Sequence, residues 1–239
     1  MFEKILAFLV YLEVVGPRCL QLLVLNRRIK MRLRAGLLFI LGLLLFAACS
    51  DPASDKAKAL TGEATSAPAS SAQGERYLIT PQNSKIEFVA SKVTGSHNGS
   101  FKDFSGVVEY AGQPENSRVK IDIQTNSVST DTDQLTNHLK TPDFFDVAKF
   151  PQATFNSTQI KTGGDIGASH TVTGNFTLHG ATKSISFPAT ITVAPDAVTV
   201  ESTFSINRKD FGLNYAGAAD NLIRDDVVIA LHIRADKAK

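Results

Sequence analysis

Tryptophan is absent from the 239-residue chain, and its two cysteines, Cys19 and Cys49, both lie in the first quarter. Everything beyond position 49 therefore has no thiol, which excludes a disulfide within that part, a cysteine-ligated zinc and a cysteine nucleophile. A basic excess is missing too. Seven of the 25 Lys/Arg and two of the 23 Asp/Glu lie within residues 1–48, so the remainder carries 18 bases against 21 acids and offers no positive field for a nucleic acid. No apolar run reaches the roughly 20 residues a membrane-spanning helix needs. The longest, Gly36 to Ala48, has the length of a signal-peptide core and follows Arg32 and Arg34.

That run ends in Leu45-Phe-Ala-Ala-Cys49, which resembles the lipobox of bacterial lipoproteins, where the cysteine after the cut is acylated. A plain secretory signal with an incidental cysteine is the alternative. The lipobox resemblance implies lipidation at Cys49, attachment to a membrane and exposure to the periplasm. Ser50, standing where an Asp would signal inner-membrane retention, implies the outer membrane. Met31-Arg-Leu-Arg opens a natural n-region, so residues 31–48 read as the signal peptide and 1–30 as the product of an upstream start. A membrane segment built from Ile5–Leu12 and Leu20–Leu25 is the rival reading, interrupted by Glu13, Pro17 and Arg18.

From Cys49 to Arg76 the chain is Ala, Ser, Thr, Pro, Gly and charge, with Leu60 its only large apolar residue, and the expectation is a flexible, lipidated tether. Residues 77–235 suit a single core, with 236–239 as a tail. Alternation dominates there. Ile86, Phe88 and Ala90 share one face, as do Val119, Ile121 and Ile123; Val172, Gly174, Phe176 and Leu178; Ile185, Phe187, Ala189, Ile191 and Val193; Val198, Val200, Ser202, Phe204 and Ile206; and Val227, Ile229, Leu231 and Ile233. The stretches at Val108–Tyr110 and Ala153–Ile160 bring the strands to eight. Turn signals at Gly112-Gln-Pro114, Gly163-Gly164, His179-Gly-Ala-Thr182 and Pro195-Asp196 make neighbours antiparallel. One short helix is predicted around Leu135 and Leu139, capped by Asp131 with Gln134 and stopped by Pro142. The fold class is all-β: a sandwich, or an eight-stranded antiparallel barrel whose interior is filled by side chains or holds one small ligand.

Four stretches in order resemble the YceI-like domain family, lipocalin-like barrels of the bacterial periplasm. They are Asn83-Ser-Lys-Ile-Glu-Phe88, Asp143-Phe-Phe-Asp-Val-Ala-Lys-Phe-Pro-Gln-Ala-Thr-Phe-Asn-Ser-Thr158, Val172-Thr-Gly-Asn-Phe-Thr-Leu-His-Gly-Ala-Thr-Lys183, and Ile206-Asn-Arg-Lys-Asp-Phe-Gly212 leading into Arg224-Asp-Asp-Val-Val-Ile229. The chain departs from the family's common residues at Tyr77, Asn83 and Leu135-Thr136. The resemblance implies a long apolar ligand, such as a polyisoprenoid, isoprenoid quinone or fatty amide, held inside the barrel. It makes candidate contacts of Phe88, Ala90, Phe144, Phe155, Phe176, Leu178, Phe187, Ala189, Phe204, Ile206 and Phe211, with Arg208 at the mouth for a head group or, alternatively, in an ion pair with Asp210, Asp225 or Asp226.

The residues themselves lean the same way. Fifteen Phe supply aromatic bulk without an indole N–H, and the small inward residues Ala90, Gly174, Ala189 and Ser202 are expected to leave axial room. Enlarging Ala189 to Phe is then expected to displace lipid at little cost in stability. A barrel simply filled by its Phe side chains remains the alternative. Signals for chemistry are few. His97, His138, His170, His179 and His232 have no metal-binding spacing, no Gly-x-Ser-x-Gly elbow occurs, and Gly163-Gly-Asp-Ile-Gly167 reads as a hairpin turn. The expected function is a non-enzymatic binder or carrier without metal or cofactor. An accessory acting on a bound quinone and a structural barrel are the alternatives, and the oligomeric state, a dimer included, is open.

Overall fold

In a computed structural model, residues 51–66, 74–219 and 221–239 are described. The signal region 1–48, Cys49 and part of the expected tether lie outside them. The strands are β1 (Ala57–Lys58), β2 (Leu60–Glu63), β3 (Glu75–Ile79), β4 (Lys85–Lys92), β5 (Gly95–Phe101), β6 (Phe104–Tyr110), β7 (Arg118–Gln124), β8 (Val128–Thr130), β9 (Gln152–Thr162), β10 (His170–Leu178), β11 (Ala181–Val193), β12 (Ala197–Asn207), β13 (Gly217–Ala218), β14 (Asn221–Leu222) and β15 (Asp226–Lys237). Among the described residues, the one α-helix, α1 (Asp133–Leu139), follows β8.

The barrel is an eight-stave antiparallel meander. Three staves are broken in two: β3 continues as β4, β5 as β6, and β7 as β8. Staves β9, β10, β11, β12 and β15 complete the ring, and β15 pairs along one edge with β12 and along the other with β3 and then β4. Two of the breaks, in the first and third of these staves, have a local cause. Between Ile79 and Lys85, Pro81 offers no N–H for a ladder, and the Asn83 side chain accepts from the Thr80 amide at 3.0 Å. The Ser84 hydroxyl donates to Arg234 O and accepts from Arg234 N, both at 3.0 Å, so β15 loses no hydrogen bond where its partner changes. Thr125, 1% exposed, turns the third stave by donating to Phe150 O at 2.7 Å.

The expected eight strands thus match eight staves, but β3, β5 and β8 were not foreseen. The β5 sequence Gly95-Ser-His-Asn-Gly-Ser-Phe101 carries no apolar alternation. It is a strand because β4 and β8 pair with it on either side. Gly99 is required there, since the Phe88 ring lies 2.1 Å from where a Cβ would stand. The helix is capped by Thr132, whose side chain accepts from the Leu135 amide at 3.3 Å, rather than by Asp131. Asp131 instead accepts from the Asn98 amide and lies 2.9 Å from the His97 ring, tying β5 to the helix approach. The Gly163–Gly167 stretch is a turn between β9 and β10.

Residues 51–66 correct the expectation of a free tether. Staves β11 and β12 pair only between Thr190–Val193 and Val198–Glu201. Pro188, without an N–H, sits where that ladder stops, and the Ser202 hydroxyl donates to its carbonyl at 2.6 Å. Beyond it the two staves part. Into the seam run β2, antiparallel to β11 at Lys183–Ser186, and β1, parallel to β12 at Phe204–Ser205. Ala59 is 4% exposed between them, whereas Leu60 is 76% exposed. The strap is held by backbone hydrogen bonds to vacated strand edges.

At its end, Lys183 Nζ lies 2.8 Å from Glu63 and holds the Glu63 carboxyl below its ordinary range. A depressed carboxyl stabilises the strap above its ordinary pKa and loses that contribution as pH falls below it. Hydrogen exchange of the 57–63 amides is therefore expected to quicken on acidification, and at neutral pH in Lys183→Glu, while the β9–β10 amides stay protected. Unchanged strap protection in Lys183→Glu would refute the ion pair's role.

Candidate functional site

The inward faces of the staves enclose a cavity of about 120 Å³. Its wall is wholly aliphatic and aromatic: Ile79, Ile86, Phe101, Val108, Val119, Ile121, Ile123, Phe155, Ile160, Val172, Phe176, Ile185, Phe187, Ile191, Val200, Phe204, Ile206, Ile229, Leu231 and Ile233. From Val200 to Ile206 the wall covers six residue steps of β12, about 20 Å of strand, so the cavity is a narrow axial crevice. An empty apolar cavity of this order stays dry and takes up a ring-sized apolar guest. Phe187 stacks on Phe204 with centroids 4.2 Å apart and planes 10° apart, and Phe155 lies 5.8 Å from Phe187. A longer guest has to displace these rings.

Of the sequence-derived candidates, Phe155, Phe176, Phe187, Phe204 and Ile206 are in this wall. Phe211, fully buried, meets Phe176 edge-on at 5.2 Å and stands behind it. Leu178 is a buried core residue outside the wall. Phe88 and Phe144 form a second apolar cluster with Val128 and Leu139, against which Ala90 packs. This cluster lies at the end of the barrel where α1, the β4–β5 turn and the loop between Phe211 and β15 converge, here called the helix end. Phe101 and Ile229 belong both to its packing and to the cavity wall.

The small inward residues do not create the room expected of them. Over Gly174 the Phe155 ring comes within 2.4 Å of a would-be Cβ. Ser202 serves the seam, Ala90 packs on the second cluster, and Ala189 is 1% exposed within the core and absent from the wall. Substituting Phe for Ala189 is therefore an overpacking change of about 1–3 kcal/mol, not the mild one expected from the alternation. The wall is mostly β-branched aliphatics on the same inward phase, a signal present in the alternation but overshadowed by the phenylalanines.

Arg208 is 4% exposed, turned away from the cavity and fully engaged. Its Nε donates to Arg224 O at 3.1 Å, Nη1 to Leu213 O, and Nη2 to Ile223 O at 3.5 Å and to Asp225 at 3.2 Å. Of the two sequence readings, the ion pair with Asp225 is the one formed. The guanidinium staples loop 213–225 across the helix end. At the opposite end Tyr77, 1% exposed, donates to Glu75 at 2.9 Å and meets Tyr110 edge-on. Burial, then the Glu75 hydrogen bond, pushes its phenol up. Among the described residues no group of three His, Cys, Asp or Glu side chains could hold a metal ion.

The sequence pattern of the YceI-like domain matches residues 77–235. The chain belongs to that family. A UPF0312 protein of Pseudomonas putida is 33% identical over 139 residues, which cover 55% of this chain and 71% of the relative. Among solved structures, the YceI-like barrel here is similar to Burkholderia cenocepacia BcnA, with a TM-score of 0.57, 24% identity and coverage of 66% of this chain and 99% of that one. It is also similar to a domain of Saccharophagus degradans described as polyisoprenoid-binding, with a TM-score of 0.55, 19% identity and coverage of 69% and 99%. Both likenesses confirm the YceI-like fold.

Proposed function

We propose that this YceI-like protein is a lipid-anchored carrier that binds a long apolar molecule, of the isoprenoid or fatty-chain class, inside its barrel and performs no chemistry on it. The carrying observation is the axial crevice without one polar side chain in its wall. Such a wall offers a ligand burial but no orienting charge, so it suits a chain rather than a polar head. The Saccharophagus degradans neighbour, described as a polyisoprenoid-binding domain, shares this barrel shape. Native mass spectrometry of the purified chain, followed by lipid extraction, tests the reading: a stoichiometric apolar lipid supports it.

A second reading, a packed structural barrel, is favoured by the close Phe187–Phe204 stack. A fully stable chain that never carries lipid would select it.

The anchor reading rests on Leu45-Phe-Ala-Ala-Cys49 and implies a periplasm-facing protein at the outer membrane. One acyl chain binds a bilayer only marginally and several bind stably. Cys49→Ser is therefore expected to move the protein from the membrane fraction to a soluble or unprocessed form. Retention of a processed Cys49→Ser chain in the membrane fraction would defeat the anchor.

A further inference from the structure

The start of the described chain is pinned to one end of the barrel. Asp51 pairs with Arg224 at 3.0 Å, and the Arg224 amide donates to Ser91 O at 2.8 Å, beside the β4–β5 turn. The Asp51 side chain also accepts from the Ala53 amide at 3.0 Å, and the Ala59 amide donates to Ser205 O at 2.8 Å. Residues 51–63 therefore contribute no slack. Cys49 is two residues upstream of Asp51, a reach of at most about 7 Å. An acyl group there holds the helix end close to the bilayer instead of suspending the barrel on a long tether.

That end carries what a membrane surface would meet. Val93 in the β4–β5 turn is 55% exposed, Leu222 49% and Tyr215 38%. The Val93 amide donates to Leu222 O at 3.2 Å, so turn and loop form one apolar tip. Tyr215 packs edge-on against His138 and lies 5.2 Å from Phe144. Behind the tip, Ile223 packs on the second cluster, and Phe101 and Ile229 continue that cluster into the cavity wall. An apolar path thus runs from surface to crevice at the end where the anchor is attached.

We propose that the tip formed by Val93, Tyr215 and Leu222 docks on the phospholipid surface that holds the chain's own anchor, setting the barrel's helix end against the bilayer as the port for its ligand. This rests on the acylation of Cys49 and on the apolar-ligand reading. The test uses the full acylated chain in phosphatidylethanolamine–phosphatidylglycerol vesicles. An environment-sensitive fluorophore is attached at Leu222→Cys or, as the opposite-end control, at exposed Ile166→Cys in the β9–β10 turn.

Co-flotation with vesicles, with quenching by spin-labelled lipid at 222 and none at 166, is the expected result, and Val93→Glu, at a 55%-exposed turn position, should sharply reduce the quenching without altering the melting temperature. Co-flotation with no difference between the labels overturns the docking face while leaving the anchor intact. Shielding at 222 that instead tracks a concentration-dependent dimer assigns the tip to a second copy and also overturns it. Should the chain prove unacylated, quenching at 222 on mixing with vesicles upholds the face by itself, and its absence overturns it.

Discussion

Arg208→Ala is expected to destabilise the protein by about 3–5 kcal/mol, measured by denaturant unfolding. The guanidinium is 4% exposed and serves three backbone carbonyls and the Asp225 carboxylate from one position. Truncation leaves the carbonyls of Leu213, Ile223 and Arg224 without their donor inside the barrel end, each costing roughly 1–3 kcal/mol where water does not replace it. It also removes the packing of the buried stem. Asp225 keeps a partner, because Lys209 lies 2.9 Å away. Lys209→Ala, by contrast, touches an exposed pair and should cost under about 1 kcal/mol. Hydrogen exchange in Arg208→Ala should rise first across 213–225. A loss within 1 kcal/mol with that loop still protected would show that the staple is not what closes this end.

Phe204→Ala is expected to be nearly as costly, about 3–5 kcal/mol, because a 3%-exposed ring stacked on Phe187 is removed beside space that is already empty. At Phe204, β12 is hydrogen-bonded to β15 on one side and to the strap strand β1 on the other. The change also enlarges the crevice, so the variant should take up more apolar ligand than the parent. Saturating it with a long-chain isoprenoid alcohol at 100 times its dissociation constant should return about 2.7 kcal/mol. Val172→Phe is the opposite experiment: it puts a ring from the wall of β10 into the crevice and should lower lipid content at a cost of about 1–3 kcal/mol or less. If Phe204→Ala is destabilised but no apolar probe restores any stability, the cavity is a packing defect and the carrier reading falls.

The docking and carrier readings meet at the helix end. Staple, tip and strap all converge there: Arg208 fixes loop 213–225, the loop presents Tyr215 and Leu222, and Asp51 pairs with Arg224. Losing the staple should therefore weaken docking as well as stability, a coupling that Lys209→Ala should not reproduce.

Alternation by itself determined most of the barrel. Period-two runs such as Val119-Lys-Ile-Asp-Ile123 and Val198-Thr-Val-Glu-Ser-Thr-Phe204 assign each residue to the inside or the outside, and they place Val119, Ile121, Ile123, Val200 and Phe204 on the cavity wall. Four ordered motifs carried the family. What alternation cannot express is a backbone edge left free. The strap at 57–63 buries little besides Ala59, and β5 offers the interior only Phe101 as a large apolar side chain. Both are strands because neighbouring staves expose unpaired N–H and C=O groups, at the Pro188 seam and along β4, that only the assembled sheet brings within reach. The role of Arg208 has the same origin. Its sequence neighbours Lys209 and Asp210 are charged, but the carbonyls that bind it lie up to 16 residues away, on a loop that only the closing of β12 against β15 brings back over it. Side-chain polarity is written residue by residue and can be read in order, whereas backbone satisfaction and the space between staves are properties of pairs distant in the chain, which only the folded barrel decides.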